Sequence, residues 1–288
     1  MKMDTQPRII SCRNDLEVNN RGGHLQGVQV LERDEGEYAI LTGSSSTYAY
    51  YSVVKMDTTN EVLSINKLMH KPFKHAGGFQ IFQNLMAVGI EDNSAKDKSN
   101  VCIYEIDDLE EPTVTPLTLI ERKGRPSRST AGCTGITRIG EQVLIVVGDW
   151  DTRHLDFYLC EEGQLRQEPT AFEKVFTIDT ERTDRSTWSD MEWHSYQNIN
   201  LLTDTDGKLY IFGFQHVDQR GNIADLFLVE NKGLKEFSLR KITSMTFTCK
   251  EGVSFSAGAG VTLQKDGSLK VVACGSHIED ALILNVFE

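Results

Sequence analysis

A short pattern recurs five times along the chain, and this recurrence constrains the fold more than any other feature. Each copy has glycine or asparagine, then an apolar residue, then a small polar residue. The copies are Gly27-Val28-Gln29-Val30, Gly78-Phe79-Gln80-Ile81, Gly135-Ile136-Thr137-Arg138, Asn198-Ile199-Asn200-Leu201 and Gly260-Val261-Thr262-Leu263. They follow one another at intervals of about 50 to 63 residues, a repeat length typical of propeller blades and solenoid units.

Further apolar runs follow each copy. A second run comes after a short turn and a third run after a loop, and the first four copies have a fourth, weaker run. Asp34-Glu35-Gly36 and Lys265-Asp266-Gly267 carry the residues of tight hairpin turns, in which glycine can supply a positive φ. Short strands separated by turn signals at regular intervals predict a closed all-β fold.

The fifth copy has only three runs before Glu288, and the N-terminal run Arg8–Cys12 is the expected donor of its fourth strand. This pairing would cover two open strand edges. The repeat pattern therefore resembles the five-bladed β-propeller architecture, with four-stranded blades and the last blade closed by the N-terminal strand. The resemblance implies a single domain over residues 1–288. The blades are expected at about 21–66, 75–122, 129–179, 194–244 and 254–288 plus 8–12.

Composition restricts the partners. The net charge of −12 disfavours nucleic acid and anionic membranes as partners, and no apolar stretch is long enough for a transmembrane helix. The run Glu121–Arg128 is basic, and we interpret it as a solvated loop. The start of the chain has no apolar leader, which predicts a cytoplasmic protein or a secreted one whose signal has been removed. The six cysteines have no metal-binding spacing, and we expect reduced, mostly buried thiols.

In a propeller, the innermost strands begin on the face where the loops between second and third strands also open. These loops are rich in histidine, tryptophan and carboxylates, whereas the opposite hairpin turns are not. We therefore expect one asymmetric site at the mouth of the axial channel on this face. The residues expected at this mouth are His24, His75, Glu91, Asp149, Glu192, His194, His216 and His277.

The polar residues of the repeat form a second candidate group. Strand alternation places one side chain of each innermost strand toward the axis: Gln29, Gln80, Thr137, Asn200 and Thr262. Such a ring can hold channel water, or it can contact a hydroxylated ligand. Both interpretations remain open from the sequence.

Histidines and carboxylates are the candidates for chemistry. His24 and His75 occupy equivalent positions of the repeat, and His194 lies near the matching position of the fourth copy, after Asp190 and Glu192. These groups could act as acids and bases, or several imidazoles could bind a divalent metal. A purely structural role, with histidines capping neighbouring blades, is the third interpretation.

The segment Trp188–Trp193 contains two aromatic and two acidic residues just before an innermost strand. Trp188 and Trp193 could stack on a sugar ring, or they could fold inward over the blade. The resemblance implies relatives that include furanosidases, nucleotide hydrolases and lectins. The glycosidase mechanism needs two carboxylates, which such relatives carry near the starts of successive innermost strands. This chain departs from that pattern, because Asp190 and Glu192 belong to one blade.

The sequence thus predicts a protein that binds one small polar molecule, such as a sugar, at the channel mouth. The alternative is a hydrolase or lyase that uses the histidines and carboxylates of the same mouth. A second alternative is a protein-interaction scaffold. The oligomeric state is not indicated by the sequence.

Overall fold

The computed structural model describes residues 3–57, 59–167 and 170–288, and within them the protein is all-β. These residues form twenty strands and two 3₁₀ turns, and no α-helix. The strands are β1 (Arg8–Arg13), β2 (Leu25–Arg33), β3 (Gly36–Ser44), β4 (Tyr48–Lys55), β5 (Glu61–His70), β6 (His75–Phe82), β7 (Leu85–Glu91), β8 (Lys98–Glu105), β9 (Thr118–Lys123), β10 (Cys133–Ile139), β11 (Gln142–Gly148), β12 (His154–Glu161), β13 (Glu173–Asp179), β14 (Asn198–Thr203), β15 (Leu209–Val217), β16 (Gly221–Lys232), β17 (Glu236–Phe247), β18 (Ala259–Leu263), β19 (Leu269–Cys274) and β20 (Ala281–Phe287).

Antiparallel pairing joins the strands into runs that we call units. Unit 1 is β2 to β5, unit 2 is β6 to β9, unit 3 is β10 to β13, unit 4 is β14 to β17, and unit 5 is β18 to β20 followed by β1. Consecutive strands pair within each unit, so the strand named first is the innermost. The fourth strand of unit 2, β9, begins at Thr118, two residues after Pro116, which has no N–H for a strand ladder.

The sheets are larger than the four-stranded sheets that the sequence predicts. Units 5 and 1 form one eight-stranded sheet, units 2 and 3 form a second, and only unit 4 is a separate four-stranded sheet. A single parallel bridge makes each junction, Arg13 with Glu61 in one sheet and Cys133 with Gly78 in the other. The difference arises because neighbouring units approach closely enough at these two points to share hydrogen bonds.

The apolar core lies between units. Five clusters of buried apolar side chains are found, and each joins two neighbouring units: 1 with 2, 2 with 3, 3 with 4, 4 with 5, and 5 with 1. The innermost strands also contact one another in the same cyclic order. Burial of apolar side chains between units therefore stabilises a ring around a central axis.

The repeated glycines explain how the innermost strands approach so closely. A Cβ on Gly260 would lie within 3.0 Å of Gln29 Nε2 and of the Val28 carbonyl oxygen on the neighbouring strand. A Cβ on Gly135 would lie 2.8 Å from Leu201 Cγ. Glycine is required at these positions because the axis has no room for a side chain.

The N-terminal strand pairs as expected. Strand β1 runs antiparallel to β20 with a register from Arg8 opposite Val286 to Arg13 opposite Ala281. It buries the side chains of Ile10 and Cys12 in the cluster between units 5 and 1. The predicted closing role of residues 8–12 is therefore confirmed as a strand pairing.

The cysteines also follow the prediction. All six carry free thiols, and five of them, all except Cys249, are buried. Burial raises the pKa of the Cys12 thiol to about 11 and that of Cys102 to about 12. In the described parts of the chain, no helix has the length and hydropathy needed to cross a membrane.

Candidate functional site

A polar cluster lies at the axis on the face where the innermost strands begin, which we call the loop face. We call it the central cluster; its members are His24, Gln26, His75, Glu91 and Gln197. His75 is the first residue of β6 and Glu91 the last residue of β7, and the two are directly opposite in the ladder. The β6–β7 hairpin therefore brings the imidazole and the carboxylate together, because opposite residues of an antiparallel pair are neighbours.

Gln26 joins the central cluster into one network. Its side-chain Nε2 lies 3.0 Å from His24 Nε2 and 3.0 Å from His75 Nε2. Its Oε1 accepts a short hydrogen bond from Gln197 Nε2. Gln26 is only 2% exposed, so its amide closes the axis at this end.

These hydrogen bonds assign the tautomers of both histidines. An amide nitrogen can only donate, so the Nε2 atoms of His24 and His75 must be unprotonated acceptors. The His24 proton is then on Nδ1, which donates to the Leu25 carbonyl at 2.7 Å. Partial burial of the His24 ring lowers its pKa, against the opposing effect of this hydrogen bond. Both observations indicate a neutral imidazole at neutral pH.

Glu91 is the buried acid of the central cluster. Its side chain is 0% exposed, and its Oε2 accepts a hydrogen bond from the Ala131 backbone N–H at 2.9 Å. Its Oε1 lies 3.3 Å from His75 Nδ1, and neither of these two atoms has a well-aligned hydrogen-bond partner among the described residues. A buried carboxylate without full compensation is unusual in a purely structural setting and typical of functional sites.

The polar ring lies deeper along the axis. Gln29 Nε2 donates to Asn200 Oδ1 at 3.1 Å, and Gln80 Nε2 donates to the Leu201 carbonyl at 2.7 Å. Asn200 Oδ1 also accepts from the Val261 N–H, and the Thr262 hydroxyl donates to the Val30 carbonyl at 3.1 Å. Thr137 Oγ1 lies 3.3 Å from Thr203 Oγ1. The ring faces the axis, and its members form hydrogen bonds directly to the innermost strands of other units.

A cavity lies at the other end of the axis, opposite the predicted mouth. It has a volume of about 770 Å³ and is lined by the second halves of the innermost strands and the turns that follow them. Gln29, Gln80, Thr137 and Thr262 contribute to its lining, whereas Asn200 is fully buried. The polar ring is thus nearer to this cavity than the sequence suggested.

A second polar group, the lateral cluster, surrounds the buried carboxylate of Asp225 in unit 4. Its members are Asp190, Glu192, His194, Tyr196, Asp225, Lys241 and Ser244. Lys241 Nζ lies 3.0 Å from Asp225 Oδ2 and 2.8 Å from Asp190 Oδ1, and both Lys241 and Asp225 are fully buried. The Tyr196 hydroxyl and the Ser244 hydroxyl each donate to Asp225 at 2.5 Å. Burial, and then the Asp225 charge, raise the pKa of Tyr196 well above its ordinary value.

His194 lies at the border of the lateral cluster. Its Nε2 is 3.8 Å from both Asp225 Oδ2 and Glu192 Oε2, and Glu192 also forms a close ion pair with Arg220. Burial lowers the pKa of His194, although the Asp225 charge acts in the opposite direction. The candidate residues Asp190, Glu192 and His194 are therefore brought together, but in a group separate from His24 and His75.

The two tryptophans fold inward. Trp188 is buried, its Nε1 donates to the Leu239 carbonyl at 2.9 Å, and it packs on Phe227. Trp193 Nε1 donates to the Thr152 carbonyl at 3.2 Å, and its ring packs on Tyr196. Of the two orientations that the sequence left open, Trp188 has the inward one, because apolar packing against units 3 and 4 covers its indole.

The remaining mouth candidates are spread over the loop face. Asp149 accepts hydrogen bonds from the backbone N–H and the Nδ1 of His154, both at 2.8 Å. Burial raises the pKa of Asp149, while His154 acts against this effect. His216 is exposed and contacts Asn222, and His277 is exposed and contacts the Gly23 carbonyl.

No metal-binding group forms among residues 3–57, 59–167 and 170–288, since no three His, Cys, Asp or Glu side chains meet with suitable geometry. Metal binding by several imidazoles, one of the three interpretations that the sequence left open, therefore has no support among these residues. His24 and His75 share the central cluster and His194 lies in the lateral cluster, whereas His216 and His277 belong to neither.

Several important residues escaped the sequence analysis. Gln26 lies three positions before Gln29, so strand alternation would place its side chain away from the axis; the register shift between Leu25 and Gly27 changes this orientation and could not be read from the pattern. Asp225 interrupts the apolar run Ala224–Leu228, and an isolated acid in such a run signals a buried partner. Lys241 and Tyr196 gave no such signal, because their partners are distant in sequence.

Comparison with known proteins gives a fold but no family. No family model matches the chain, and no curated protein matches its sequence. Among solved structures, it is similar to the catalytic domain of a GH62 α-L-arabinofuranosidase from Coprinopsis cinerea. The TM-score is 0.54 and the identity 9%, with 96% of each chain covered.

Two further solved structures agree. The α-L-arabinofuranosidase PaAbf62A from Podospora anserina, in complex with cellotriose, has a TM-score of 0.55 and 8% identity, with 96% of each chain covered. A GH43_1 enzyme from Xanthomonas citri has a TM-score of 0.52 and 8% identity, and covers 92% of this chain and 87% of its own. At such identities the similarity concerns the fold alone. The chain is therefore an all-β protein with the β-propeller fold of these glycoside hydrolases.

Proposed function

We propose that the protein is a hydrolase that acts on a carbohydrate or a similar polyhydroxylated molecule, with its reaction centre at the central cluster. The observation that supports this proposal most directly is the Glu91 carboxylate. It is fully buried at the loop-face end of the axis, and its Oε1 lies 3.3 Å from His75 Nδ1. A carboxylate behind an imidazole is a recurring arrangement for acid–base catalysis.

His75 is the general base in this proposal. Because Gln26 donates to His75 Nε2, the ring proton is on Nδ1 and faces Glu91. The carboxylate then orients the imidazole and stabilises the charged form that arises when Nε2 accepts a proton. A water molecule or substrate hydroxyl that replaces the Gln26 amide would donate to the same nitrogen. His24 Nε2, which also accepts from Gln26, supplies a second acceptor beside it.

The proposal also takes units 1 to 5 as the five blades of the propeller and residues 1–288 as one domain. The cyclic contacts of the innermost strands and the five apolar clusters between neighbouring units support this assignment. The substrate class rests on similar folds that are named as arabinofuranosidases and, at a TM-score of 0.51, as a β-1,3-galactosidase.

Binding without turnover is the second candidate. The central cluster contains one carboxylate, Glu91, whereas the usual glycosidase mechanism requires two. A single acid with neutral imidazoles and amides suits hydrogen bonding to sugar hydroxyls as well as catalysis. The binding surface would then extend over the loop face to Asp149, His216 and His277, which belong to neither cluster.

Enzyme assays with aryl glycosides test the proposal. The purified protein is incubated with 4-nitrophenyl α-L-arabinofuranoside, β-D-xyloside and β-D-galactoside, and release of 4-nitrophenol is followed. We expect turnover of at least one of them, and a decrease in kcat of roughly 10²- to 10⁴-fold in the Glu91→Gln and His75→Asn variants. Both replacements keep the size of the side chain, so the melting temperature should change little.

Matched controls are available elsewhere on the molecule. His70→Asn and Glu230→Gln change the same residue types on outer strands, and they should leave kcat unchanged. Full activity of Glu91→Gln and His75→Asn would refute the assignment of the reaction centre. Saturable sugar binding by calorimetry, without turnover of any substrate, would establish the binding protein instead.

A further inference from the structure

A basic pocket lies at the border between units 2 and 3, and none of its lining residues belongs to the central cluster. It has a volume of about 350 Å³ and is formed by the end of β9, the loop that follows it, and strands β12 and β13. Its charged lining residues are Glu121, Arg122, Lys123, Arg125, Arg128, Asp156 and Lys174. Five of these seven are basic in a chain whose net charge is −12.

The floor of the pocket is a fixed arrangement of guanidinium groups. Arg122 is buried, its Nε donates to the Thr130 carbonyl at 3.1 Å, and its Nη1 donates to Asp156 Oδ2 at 2.8 Å and to the Tyr158 hydroxyl at 2.6 Å. Arg128 donates to both oxygens of Asp156, at 2.6 and 2.5 Å. Fork-like contacts of this kind hold each guanidinium plane in one orientation.

Positive charge exceeds negative charge at this floor. Asp156 is the common partner of Arg122 and Arg128, and Lys174 Nζ lies 3.8 Å from it. Burial by itself would raise the pKa of Asp156, but the hydrogen bonds and charges of Arg128 and Arg122 outweigh it and hold the pKa low. Asp149 is the second carboxylate near this floor, with its Oδ2 3.8 Å from Arg128 Nη1, so two carboxylates face the three cations Arg122, Arg128 and Lys174. Buried or half-buried cations without a counter-charge are costly, and an additional anion would reduce this cost.

The rim adds further cations. Lys123 and Arg125 are exposed, and they form no ion pair with the residues that the structure describes. The acid Glu121 is also exposed at this rim. Ser129 is buried and lines the pocket, so a hydroxyl donor is available beside the cations.

The run Glu121–Arg128, interpreted from the sequence as a solvated loop, begins within β9 and continues as a largely exposed loop that backbone hydrogen bonds hold in place. The Gly124 N–H donates to the Asp97 carbonyl at 3.0 Å, and the Ser127 N–H donates to the Lys96 carbonyl at 2.8 Å. The Thr130 hydroxyl donates to the Ser127 carbonyl at 2.6 Å. A binding site whose donors are fixed before binding loses less conformational entropy when the ligand arrives.

We propose that this pocket binds an oxyanion, phosphate or sulfate, either as the free ion or as an ester of a small molecule. Arg125, Lys123 and Ser129 would donate to the oxyanion, while Arg122 and Arg128 supply fixed positive charge beneath it. Phosphate and sulfate match this chemistry, because arginine and lysine are the usual donors to tetrahedral oxyanions. The site is independent of the central cluster and does not rest on the proposed hydrolase activity.

Calorimetric titration of the whole 288-residue chain with sodium phosphate tests the site. The titration is compared with sodium chloride at equal ionic strength, so that screening alone gives no signal. We expect saturable phosphate binding, weakened at least tenfold in the double variant Lys123→Ala/Arg125→Ala. Both side chains are exposed, so the fold should be retained; the melting temperature is measured to verify this.

The control is the double variant Lys232→Ala/Lys235→Ala, which removes two exposed lysines from the turn between β16 and β17. It should bind phosphate as the wild type does. Titration with glucose 6-phosphate distinguishes a phosphate ester from the free ion as the ligand. Tighter binding than that of inorganic phosphate indicates an ester, and equal or weaker binding indicates the free ion. Absence of saturable binding by the wild type, or equal binding by both double variants, would overturn the proposal.

Discussion

Replacement of Gly260 by alanine tests the close approach of the innermost strands. The new Cβ would lie within 3.0 Å of Gln29 Nε2 and of the Val28 carbonyl oxygen. The Gln29 side chain can rotate away, but it then loses its hydrogen bond to Asn200 at the centre of the axis. The Val28 oxygen belongs to the backbone of β2 and can move only if the strand moves.

The expected cost follows from these two contacts. Overpacking of a buried site costs about 1–3 kcal/mol, and a buried amide that loses its partner costs about 1–3 kcal/mol more. We therefore expect Gly260→Ala to lower the free energy of unfolding by about 2–6 kcal/mol. For a chain of this size each kcal/mol corresponds to about 2 °C, so the melting temperature should fall by about 4–12 °C.

Alanine replacements of two other glycines, with less crowded surroundings, provide the comparison for Gly260→Ala. At Gly135 the nearest atom to a new Cβ is Leu201 Cγ at 2.8 Å, and this side chain can shift, so Gly135→Ala should cost less than Gly260→Ala. At Gly275 no atom lies within 4 Å, so Gly275→Ala should leave the stability nearly unchanged. Urea unfolding of the three variants measures this order. A Gly260→Ala protein within 1 kcal/mol of the wild type, or less affected than Gly135→Ala, would refute the close-packed axis.

Deletion of residues 1–13 removes β1 and should cost about 3–5 kcal/mol, because Ile10 and Cys12 leave the core and β20 becomes an open edge; an unchanged melting temperature would contradict the pairing. The ionised Asp156 carboxylate, whose pKa is lowered in the folded protein, stabilises the fold at pH values above the ordinary aspartate pKa. This contribution is lost as the pH falls toward the lowered pKa. Unfolding experiments between about pH 7 and pH 2 should show this loss in the wild type and a flatter profile in Asp156→Asn; identical slopes would contradict it. His194→Ala should lower the melting temperature by a few degrees and leave kcat unchanged, because Asp225 keeps its other partners; a tenfold loss of kcat at unchanged melting temperature would move the reaction centre to the lateral cluster.

The sequence predicted the strands well because its repeat has a local physical cause. Four of the five copies carry a glycine where another strand approaches, the fourth copy has Asn198 there, and each copy has a polar side chain two positions later that bonds to the innermost strand of another unit. Gly260 leaves the space that the Gln29 side chain occupies, and Gln29 uses that space to donate a hydrogen bond to Asn200. The pairing of β1 with β20 was predictable because the fifth copy has only three runs, and an unpaired strand edge is unfavourable.

The candidate site was predicted less well because its contacts are not local. The pairing of His75 with Glu91 follows from one hairpin and lay within reach of the sequence. Gln26 and Gln197 are 171 residues apart, and no pattern along the chain connects them. Trp188 lies in the connection between units 3 and 4, and its inward orientation depends on Phe227 in β16, so only packing could decide it.

The five buried thiols give the molecule internal reporters of local opening. Unit 2 contains Cys102, unit 3 contains Cys133 and Cys160, and unit 5 contains Cys12 and Cys274. A thiol reagent reacts with the thiolate, and burial suppresses both access and ionisation, so each cysteine reacts only while its part of the ring is open. The labelling rate of Cys12 therefore measures how often β1 leaves β20, and that of Cys133 how often the innermost strand of unit 3 is exposed. Mass spectrometry of the labelled peptides would rank the opening frequencies around the ring without any substitution.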